Sequence, residues 1–507
     1  MIRLVVVENT ARWPFQFEGA QVVSSRAYLS EPHYAELRPA MVFNVCRTYG
    51  YQSVGYYVSL LAAARGHRPL PSVATLQDLR LAPVVRIVSE ELEEEIERAL
   101  KPLRSEVFDL SIYFGRNLAR RYDRLCHALF NQFPAPFLRA HFVRHGNGRH
   151  GNGERGHGKR GSHASPDGWR LQTIRPIATA EIPEIHRDFV IEQARAHFER
   201  PRRPRKRAVY RYDLAILRDP EERYSPSNEG AIRRFVRAAR EQGIEAEEIG
   251  REEGGDIAEF DALFIRETTF VEHHTYRLSR RAAAEGLVVI DDPESILRCT
   301  NKVFQAELFA RHEIASPETM VVHEGNVEQV AERVGFPCVL KRPDSSFSQG
   351  VVKACDADEL AQHLERFFED SELVVAQRFV PSEFDWRVGV LDRRALWAAK
   401  YHMAKGHWQI VAADDRGGRR WGKVEALPLE QVPREAVRLA VRSAALMGDG
   451  LYGVDIKQVG KRFLVMEVND NPNIDAGCED RVLGNALYAA IARFFRERLD
   501  ARGGAKP

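Results

Sequence analysis

Two runs in the carboxyl-terminal part of the chain carry the residues best suited to chemistry. Val454-Asp455-Ile456-Lys457 and Leu464-Val465-Met466-Glu467-Val468-Asn469 read as β-strands joined through Gln458-Val459-Gly460. Side chains alternate along a strand, so Glu467 and Asn469 share a face. A three-residue hairpin loop ending on Gly460 in the left-handed region brings Asp455 onto that face too. Two carboxylates and an amide oxygen are hard ligands for Mg²⁺, with Mn²⁺ as a substitute, carrying the phosphates of a nucleotide. The plainer alternative is a strand pair with unrelated surface acids. It is weakened because Glu467 and Asn469 interrupt an otherwise apolar run, where an unpaired carboxylate is costly.

A second run, Pro337-Cys338-Val339-Leu340-Lys341 followed by Arg342-Pro343-Asp344-Ser345-Ser346-Phe347-Ser348-Gln349-Gly350, is a strand that delivers a lysine into a loop of small residues. Backbone N–H groups in such a loop can approach phosphate oxygens while the ammonium supplies a point charge. The run does not match G-x-x-x-x-G-K-[ST]. Alone it is equally a Ser/Gly turn between strands.

The elements that must position these residues fall into successive regions. Residues 1–200 hold strand-like runs (Leu4–Val7, Met41–Val45, Val107–Tyr113) and a helix that Ser53 caps and Gly66 ends, with no catalytic constellation. Within them, the Gly/His/Arg-rich repeat at 144–162 cannot build a core and reads as a disordered loop. His145, His150, His157 and His163 could chelate a metal, but a flexible insertion is the plainer reading. Residues 201–207 form a basic, proline-broken linker, able to meet RNA phosphates but more simply a solvated connector.

From Ala208 a strand to Leu217, a helix capped at Ser227 and ended by Gly243, and two further strands at Arg266 and Leu287–Ile290 give a small open parallel sheet over 208–290. Beyond Asp291, Thr300 caps a helix near Lys302. Asp356 and Glu359 form a capping-box pattern, and Pro433 starts the last long helix. Residues 291–500 hold both chemistry-bearing runs, and 501–507 are a tail.

Composition excludes some classes. The 507 residues suit about three domains of ~100–200 residues. A net charge of +2 calls for neither nucleic acid nor a membrane surface. The six cysteines form no C-x-x-C pair, which fits a reducing cytosol. No apolar run approaches the ~18 residues of a membrane span. The expectation is a soluble, cytoplasmic α/β protein.

Taken in order, Lys302, Lys341 with its Ser/Gly loop, Arg387, Asp455 and Glu467-Val468-Asn469 resemble the ATP-grasp superfamily. Within it the chain is similar to RimK-type amino-acid ligases, relatives of glutathione synthetase. Further marks are Phe264-Ile265-Arg266-Glu267-Thr268-Thr269, Ile290-Asp291-Asp292-Pro293 and Cys299-Thr300-Asn301-Lys302. The extension at 1–200 resembles the RimK-like ATP-grasp N-terminal subgroup.

The resemblance implies an α+β ATP-grasp fold: an N-terminal extension, a Rossmann-like pre-ATP-grasp domain at 208–290 and a two-lobed ATP-grasp domain at 291–500. It implies that Lys302 and Lys341 contact ATP phosphates under a loop of Ser345, Ser346, Ser348, Gln349 and Gly350. Gln377, Arg378, Phe379 and Val380 would form the adenine hinge, and Glu383 or Asp385 would lie near the ribose. Asp455, Glu467 and Asn469 would hold Mg²⁺, while Arg387 and Arg266, with Lys341, would face the transferred phosphate or the substrate carboxylate. Arg378 stands where relatives often carry Glu, and Lys400–Gln409 lacks an Arg-x-Asn element, which leaves the acceptor open.

The implied reaction is ATP-dependent ligation of an amino acid or other carboxylate to an amine of a protein, peptide or small molecule, through an acyl phosphate. Two alternatives stand beside it. One is a small-molecule ligase of the dipeptide or glutathione synthetase kind; the other is a non-catalytic nucleotide-binding protein docking RNA or the ribosome. Cys478 is read as a packing residue rather than a reactive thiol, and a homo-oligomer is left open.

Overall fold

The computed structural model describes residues 2–15, 17, 19–37, 40–145, 168–199, 210–344, 350–413 and 419–503. The 144–162 repeat beyond His145, the 201–207 linker, the loop residues 345–349 and the end of the tail lie outside them. The chain divides into two compact units, Met1–Arg207 with Glu252–Glu259, and Ala208–Arg251 with Phe260–Pro507.

In the first unit, strands β1 (Ile2–Val7), β2 (Gln21–Ser24), β3 (Ala40–Asn44) and β4 (Arg68–Leu70) form a parallel sheet in the order β2-β1-β3-β4. The runs in β1 and β3 are apolar without alternation because both faces of this sheet are covered. Leu4, Val6 and Val42 pack with Tyr28, Val58 and Ala62 on one side. Val5, Val7, Met41 and Phe43 pack with Phe137, Val190 and Phe198 on the other. The Val54–Ala64 helix starts where Ser53 accepts a hydrogen bond from the Tyr56 N–H, and Gly66 follows it at φ +67°. Strands β5 (Val107–Tyr113), β6 (Phe137–His145) and β7 (Gly168–Pro176) form an antiparallel sheet.

The second unit begins with β8 (Tyr212–Leu217), β9 (Ile244–Ile249), β10 (Ala262–Ile265) and β11 (Val288–Ile290), all parallel in the order β9-β8-β10-β11. β8 is shorter than expected. The following helix is capped by Asn228, whose side chain accepts from the Ala231 N–H, and not by Ser227. Ser227 instead donates to the Ile474 carbonyl. Likewise Asn301 caps Lys302–Arg311, while Thr300 bonds back to the Ile296 carbonyl inside the preceding helix. In both cases the amide side chain one residue further on takes the orphan N–H.

Two antiparallel sheets follow. β12 (Thr319–Val322), β13 (Cys338–Lys341), β14 (Val351–Ala354) and β15 (Val374–Arg378) pair as β12-β15-β13-β14. The Ala357–Phe368 helix, capped by Asp356, lays Leu360, Leu364 and Phe367 on this sheet. β16 (Phe384–Leu391), β17 (Arg394–His402), β20 (Val424–Leu427), β21 (Leu451–Val459) and β22 (Arg462–Asp470) pair as β20-β17-β16-β21-β22. A small ribbon of β18 (Val411–Ala413) and β19 (Arg419–Trp421) stands apart.

The Arg434–Met447 helix covers the five-stranded sheet with Ala436, Ala440, Ala444 and Met447. It is not the last. Asn485–Gly503, overlooked in the sequence, packs Leu487, Tyr488, Ile491 and Phe495 against the parallel sheet. Among the described residues no helix is long and apolar enough to cross a membrane.

Candidate active site

The hairpin β21–β22 turns at Gly460-Lys461, a two-residue connection with Gly460 at φ +59°, not the three-residue loop expected. The shared face survives because a bulge compensates. Asp455 pairs with Glu467 and Ile456 with Val465, so Met466 is the extra residue on its strand. Asp455 therefore faces Glu467 directly, and Asn469 donates to Asp455 Oδ2 at 3.3 Å.

On the other side, β16 sets Arg387 opposite Asp455. The guanidinium makes a fork of two 2.6 Å bonds to both carboxylate oxygens. It lies over the Tyr401 ring at 4.4 Å, and the Tyr401 hydroxyl bonds Glu479. Arg387 and Asp455 are nearly enclosed, with 14% and 6% of their side chains exposed. Arg387 is thus held protonated well above its ordinary range: burial opposes this, but Asp455 and Tyr401 outweigh it. For Asp455, burial pushes the carboxyl up, Arg387 pulls it down and Glu467 adds repulsion.

The cations arrive from other elements. Lys302 opens its helix, and Gln305 one turn later fixes that helix to β22. Its amide donates to the Val468 carbonyl at 3.0 Å and accepts the Val468 N–H at 2.8 Å. Lys302 is thereby set beside Glu467. Lys341 ends β13 and is buried; burial lowers its pKa to about 8, with Glu467 opposing and Lys302 and Lys457 adding to the fall. Burial would raise Glu467, but Lys302, Lys341 and Arg387 together hold it below its ordinary value.

These residues line one cavity of about 860 Å³. At the β15 end it is bounded by Gln377, Arg378, Phe379 and Val380. Gln377 Oε1 is buried without a hydrogen-bond partner, and Trp408 meets Phe379 edge to face at 5.7 Å. The chemistry available is the holding of a polyanion: buried ammonium groups and a fixed guanidinium around a pair of carboxylates.

Known proteins carry the same segments. A model of the RimK-like ATP-grasp domain matches residues 299–492, and one of the RimK-like ATP-grasp N-terminal domain matches residues 25–193. The α-aminoadipate–LysW ligase of Sulfolobus acidocaldarius is 30% identical over 234 residues, which are 44% of this chain and 79% of that protein. The chain belongs to the RimK-like ATP-grasp family. A probable α-L-glutamate ligase of Shewanella amazonensis is 25% identical over 301 residues, 55% of this chain and 95% of its own. A solved RimK-domain ATP-grasp protein of Sphaerobacter thermophilus covers 56% of this chain and 98% of its own at 19% identity, with a TM-score of 0.43.

This RimK-like protein is an ATP-dependent carboxylate–amine ligase that forms carbon–nitrogen bonds. Of the residues singled out in its sequence, Lys302, Lys341, Gln377–Val380, Asp385, Arg387, Asp455, Glu467 and Asn469 line the cavity. Ser345, Ser346, Ser348 and Gln349 lie outside the described residues. Gly350 closes their loop and is not among the lining residues. At φ +64°, it would place a Cβ 2.8 Å from Arg342 Cδ.

Of the two carboxylates expected near the ribose, Asp385 lines the cavity and bonds Lys457 at 2.7 Å, and Glu383 is exposed and outside the lining. One assignment is corrected. Arg266 is fully buried, and its guanidinium is spent on Ser227 Oγ, Asn471 Oδ1 and the Pro226 and Pro472 carbonyls at 2.7–3.0 Å. It ties β10 to the segment after β22 and offers nothing to a substrate.

We expect Arg266→Met to cost about 3–5 kcal/mol of stability in urea unfolding, because it strands the groups that one buried fork satisfies. Lysine should restore little of it, since a point charge cannot serve four acceptors on two segments. Wild-type stability of Arg266→Met would refute the clamp.

Lys457, Gln305 and Tyr401 were missed in the sequence. Lys457 was legible, two residues from Asp455 on the same face. The other two carried no local signal.

Proposed function

We propose that this ligase activates an amino-acid carboxylate by phosphoryl transfer from ATP and joins it to an amine of a protein, peptide or small molecule. The observation that carries this reading is the convergence of Lys302, Lys341 and Arg387 on the Asp455–Glu467–Asn469 face within one cavity. The names of the relatives, an α-aminoadipate–LysW ligase and probable α-L-glutamate ligases, support an amino acid as one of the two substrates.

The donor set suits a divalent cation. Asp455 and Glu467 face each other across two strands with Asn469 beside them, which gathers two carboxylates and an amide oxygen at one place in the cavity. Asp455, Glu467 and Asn469 would hold Mg²⁺, or Mn²⁺ in its place, and the ion would supply charge neutralisation for the phosphates. Lys302 and Lys341 would bind the phosphate oxygens, the Gln377–Val380 segment the adenine, and Asp385 the ribose. Arg387, held by Asp455 and stacked on Tyr401, presents a fixed positive charge to the phosphoryl group in flight.

A carboxylate oxygen of the substrate attacks the γ-phosphorus and the bond to the β-phosphate oxygen breaks, giving ADP and an acyl phosphate. The amine lone pair then attacks the carbonyl carbon, phosphate leaves with the C–O electrons, and the amine gives up its proton. No protein nucleophile is needed; the residues around the cavity position the reactants.

We infer that the reaction takes place in the cytoplasm, a reading supported by six cysteines with no C-x-x-C pair among them. Residues 1–200 are assigned to acceptor selection. With carboxylate, ATP, Mg²⁺ and hydroxylamine but no amine acceptor, we expect a hydroxamate to accumulate with one ADP per product. AMP and pyrophosphate in place of ADP and phosphate would rule out the acyl phosphate. A chain starting near Arg207 should keep Mg²⁺-dependent ATP binding and lose most ligation to its natural acceptor; full-rate ligation by that chain would remove the assignment of residues 1–200.

A further inference from the structure

One structural unit occurs twice in this chain. The order β2-β1-β3-β4 in the first unit is the order β9-β8-β10-β11 in the second, and both sheets are wholly parallel. After β3 the Val45 N–H bonds the Val6 carbonyl, and after β10 the Arg266 N–H bonds the Leu217 carbonyl, each at 2.9 Å. The helices that follow match turn for turn. Ser59 donates to the Pro71 carbonyl at 2.7 Å, as Ser279 does to the Asp291 carbonyl at 2.6 Å. Ala62-Ala63-Ala64 corresponds to Ala282-Ala283-Ala284, and Gly66 at φ +67° to Gly286 at +81°.

The inward faces of the two helices agree as well. Val58, Ser59 and Ala62 are buried in one, and Leu278, Ser279 and Ala282 in the other.

The outward faces do not agree. Where His274–Ala284 carries Arg277 and Arg280, Val54–Ala64 carries Tyr57 and Leu60. From Thr48 to Ala64 no residue is charged, in a chain that is 29% charged. Val54, Tyr57 and Leu60 are 39%, 39% and 38% exposed, and Tyr51 at the start of the helix is 66% exposed. Tyr56 joins them, 5.2 Å from the Tyr51 ring and 5.7 Å from that of Tyr57. A helix that is apolar all round belongs in an interior, and a contiguous aromatic patch on a surface marks an association site.

We propose that the outward face of the Val54–Ala64 helix is the surface through which two copies of this chain associate. A second copy fits for two reasons. The face bears no charge, so it neither repels its own image about a twofold axis nor selects an oppositely charged partner; the arginines of the sister helix would repel theirs. The stretches 146–167 and 200–209, which could otherwise fold back over it, offer only Val209 as a large apolar side chain. One helix of about 16 Å covers less than the ~1,600 Å² of a standard interface, so the dimer is of moderate affinity and concentration-dependent.

The test is sedimentation equilibrium of the full chain across a concentration series, with circular dichroism melts of each variant. The mass should rise from 57.7 kDa towards twice that value. Tyr57→Lys and Leu60→Lys, both at exposed positions, should each weaken association roughly hundredfold by setting like charges against each other, with the melt unchanged. Arg280→Ala, the corresponding position of the sister helix, should leave association as it is. A wild-type chain that stays at one-chain mass throughout overturns the proposal. So does a dimer that survives both lysine variants, or a one-chain species that binds phosphatidylcholine vesicles through Tyr57 and Leu60 instead.

Discussion

Glu467→Gln will abolish ligation, and Asp455→Asn will do so at a cost in stability. Each change keeps side-chain volume and removes one negative charge from the face assigned to Mg²⁺. If the ion supplies several kcal/mol at the transferred phosphoryl group, loss of about 4 kcal/mol corresponds to a roughly thousandfold fall in kcat. The two variants differ in what they leave behind. Glu467 is bonded by Asn469 and surrounded by Lys302, Lys341 and Arg387, so its loss leaves the lysines short of a counter-charge. Asp455 takes both arms of Arg387, and Asp455→Asn strands a buried guanidinium, worth about 3–5 kcal/mol of folding stability. Single-turnover assays paired with urea unfolding separate the effects. Near-wild-type turnover in Glu467→Gln would dismiss the metal assignment.

Lys341→Met should slow phosphoryl transfer by about 10²–10³-fold, the weight of one preorganised donor at developing charge. It should also remove a pH dependence. Burial lowers the Lys341 ammonium from 10.5 to about 8. Below pH 8 it is charged and attracts phosphate; above pH 8 the free enzyme loses the proton, and nucleotide affinity should fall by up to about tenfold per pH unit until the complex itself titrates. Stability moves the opposite way. Between 8 and 10.5 the unfolded chain holds the proton that the folded chain has released, so stability rises with pH across that window. The burial cost, about 3 kcal/mol, is present in full below pH 8. Calorimetric titration of a non-hydrolysable ATP analogue from pH 7 to 9.5 tests the affinity, and urea unfolding over the same range tests the stability. A flat profile in the wild type, or the same slope in Lys341→Met, would show that another group is titrating.

The residues in contact with these two predictions were not equally readable from the chain. Glu467 and Asn469 share a face by strand alternation alone, and Asp455 joins them once the two runs pair. That reading survived a wrong turn length because the bulge at Met466 restored the phase. The ATP-grasp order of motifs likewise rests on short stretches, each legible where it stands. Helix starts were off by one at Ser227 and Thr300, since Asn228 and Asn301 beside them are also good caps and propensity does not choose between neighbours.

Arg266 is the clearest case of what local pattern leaves out. An arginine in an apolar run invites a functional role, yet its partners are Ser227, some forty positions back, and Asn471 and Pro472, about two hundred ahead. The same holds for the Arg387–Asp455 fork, for Gln305 holding Lys302 against β22, and for the Val54–Ala64 helix, whose outward face carries tyrosine and leucine where its counterpart carries arginines. Periodicity, capping and turn chemistry act within a few residues and are written in the order of the chain. The pairing of charges and the exposure of a helix face depend on which distant segments the sheets bring together, and only the folded arrangement settles that.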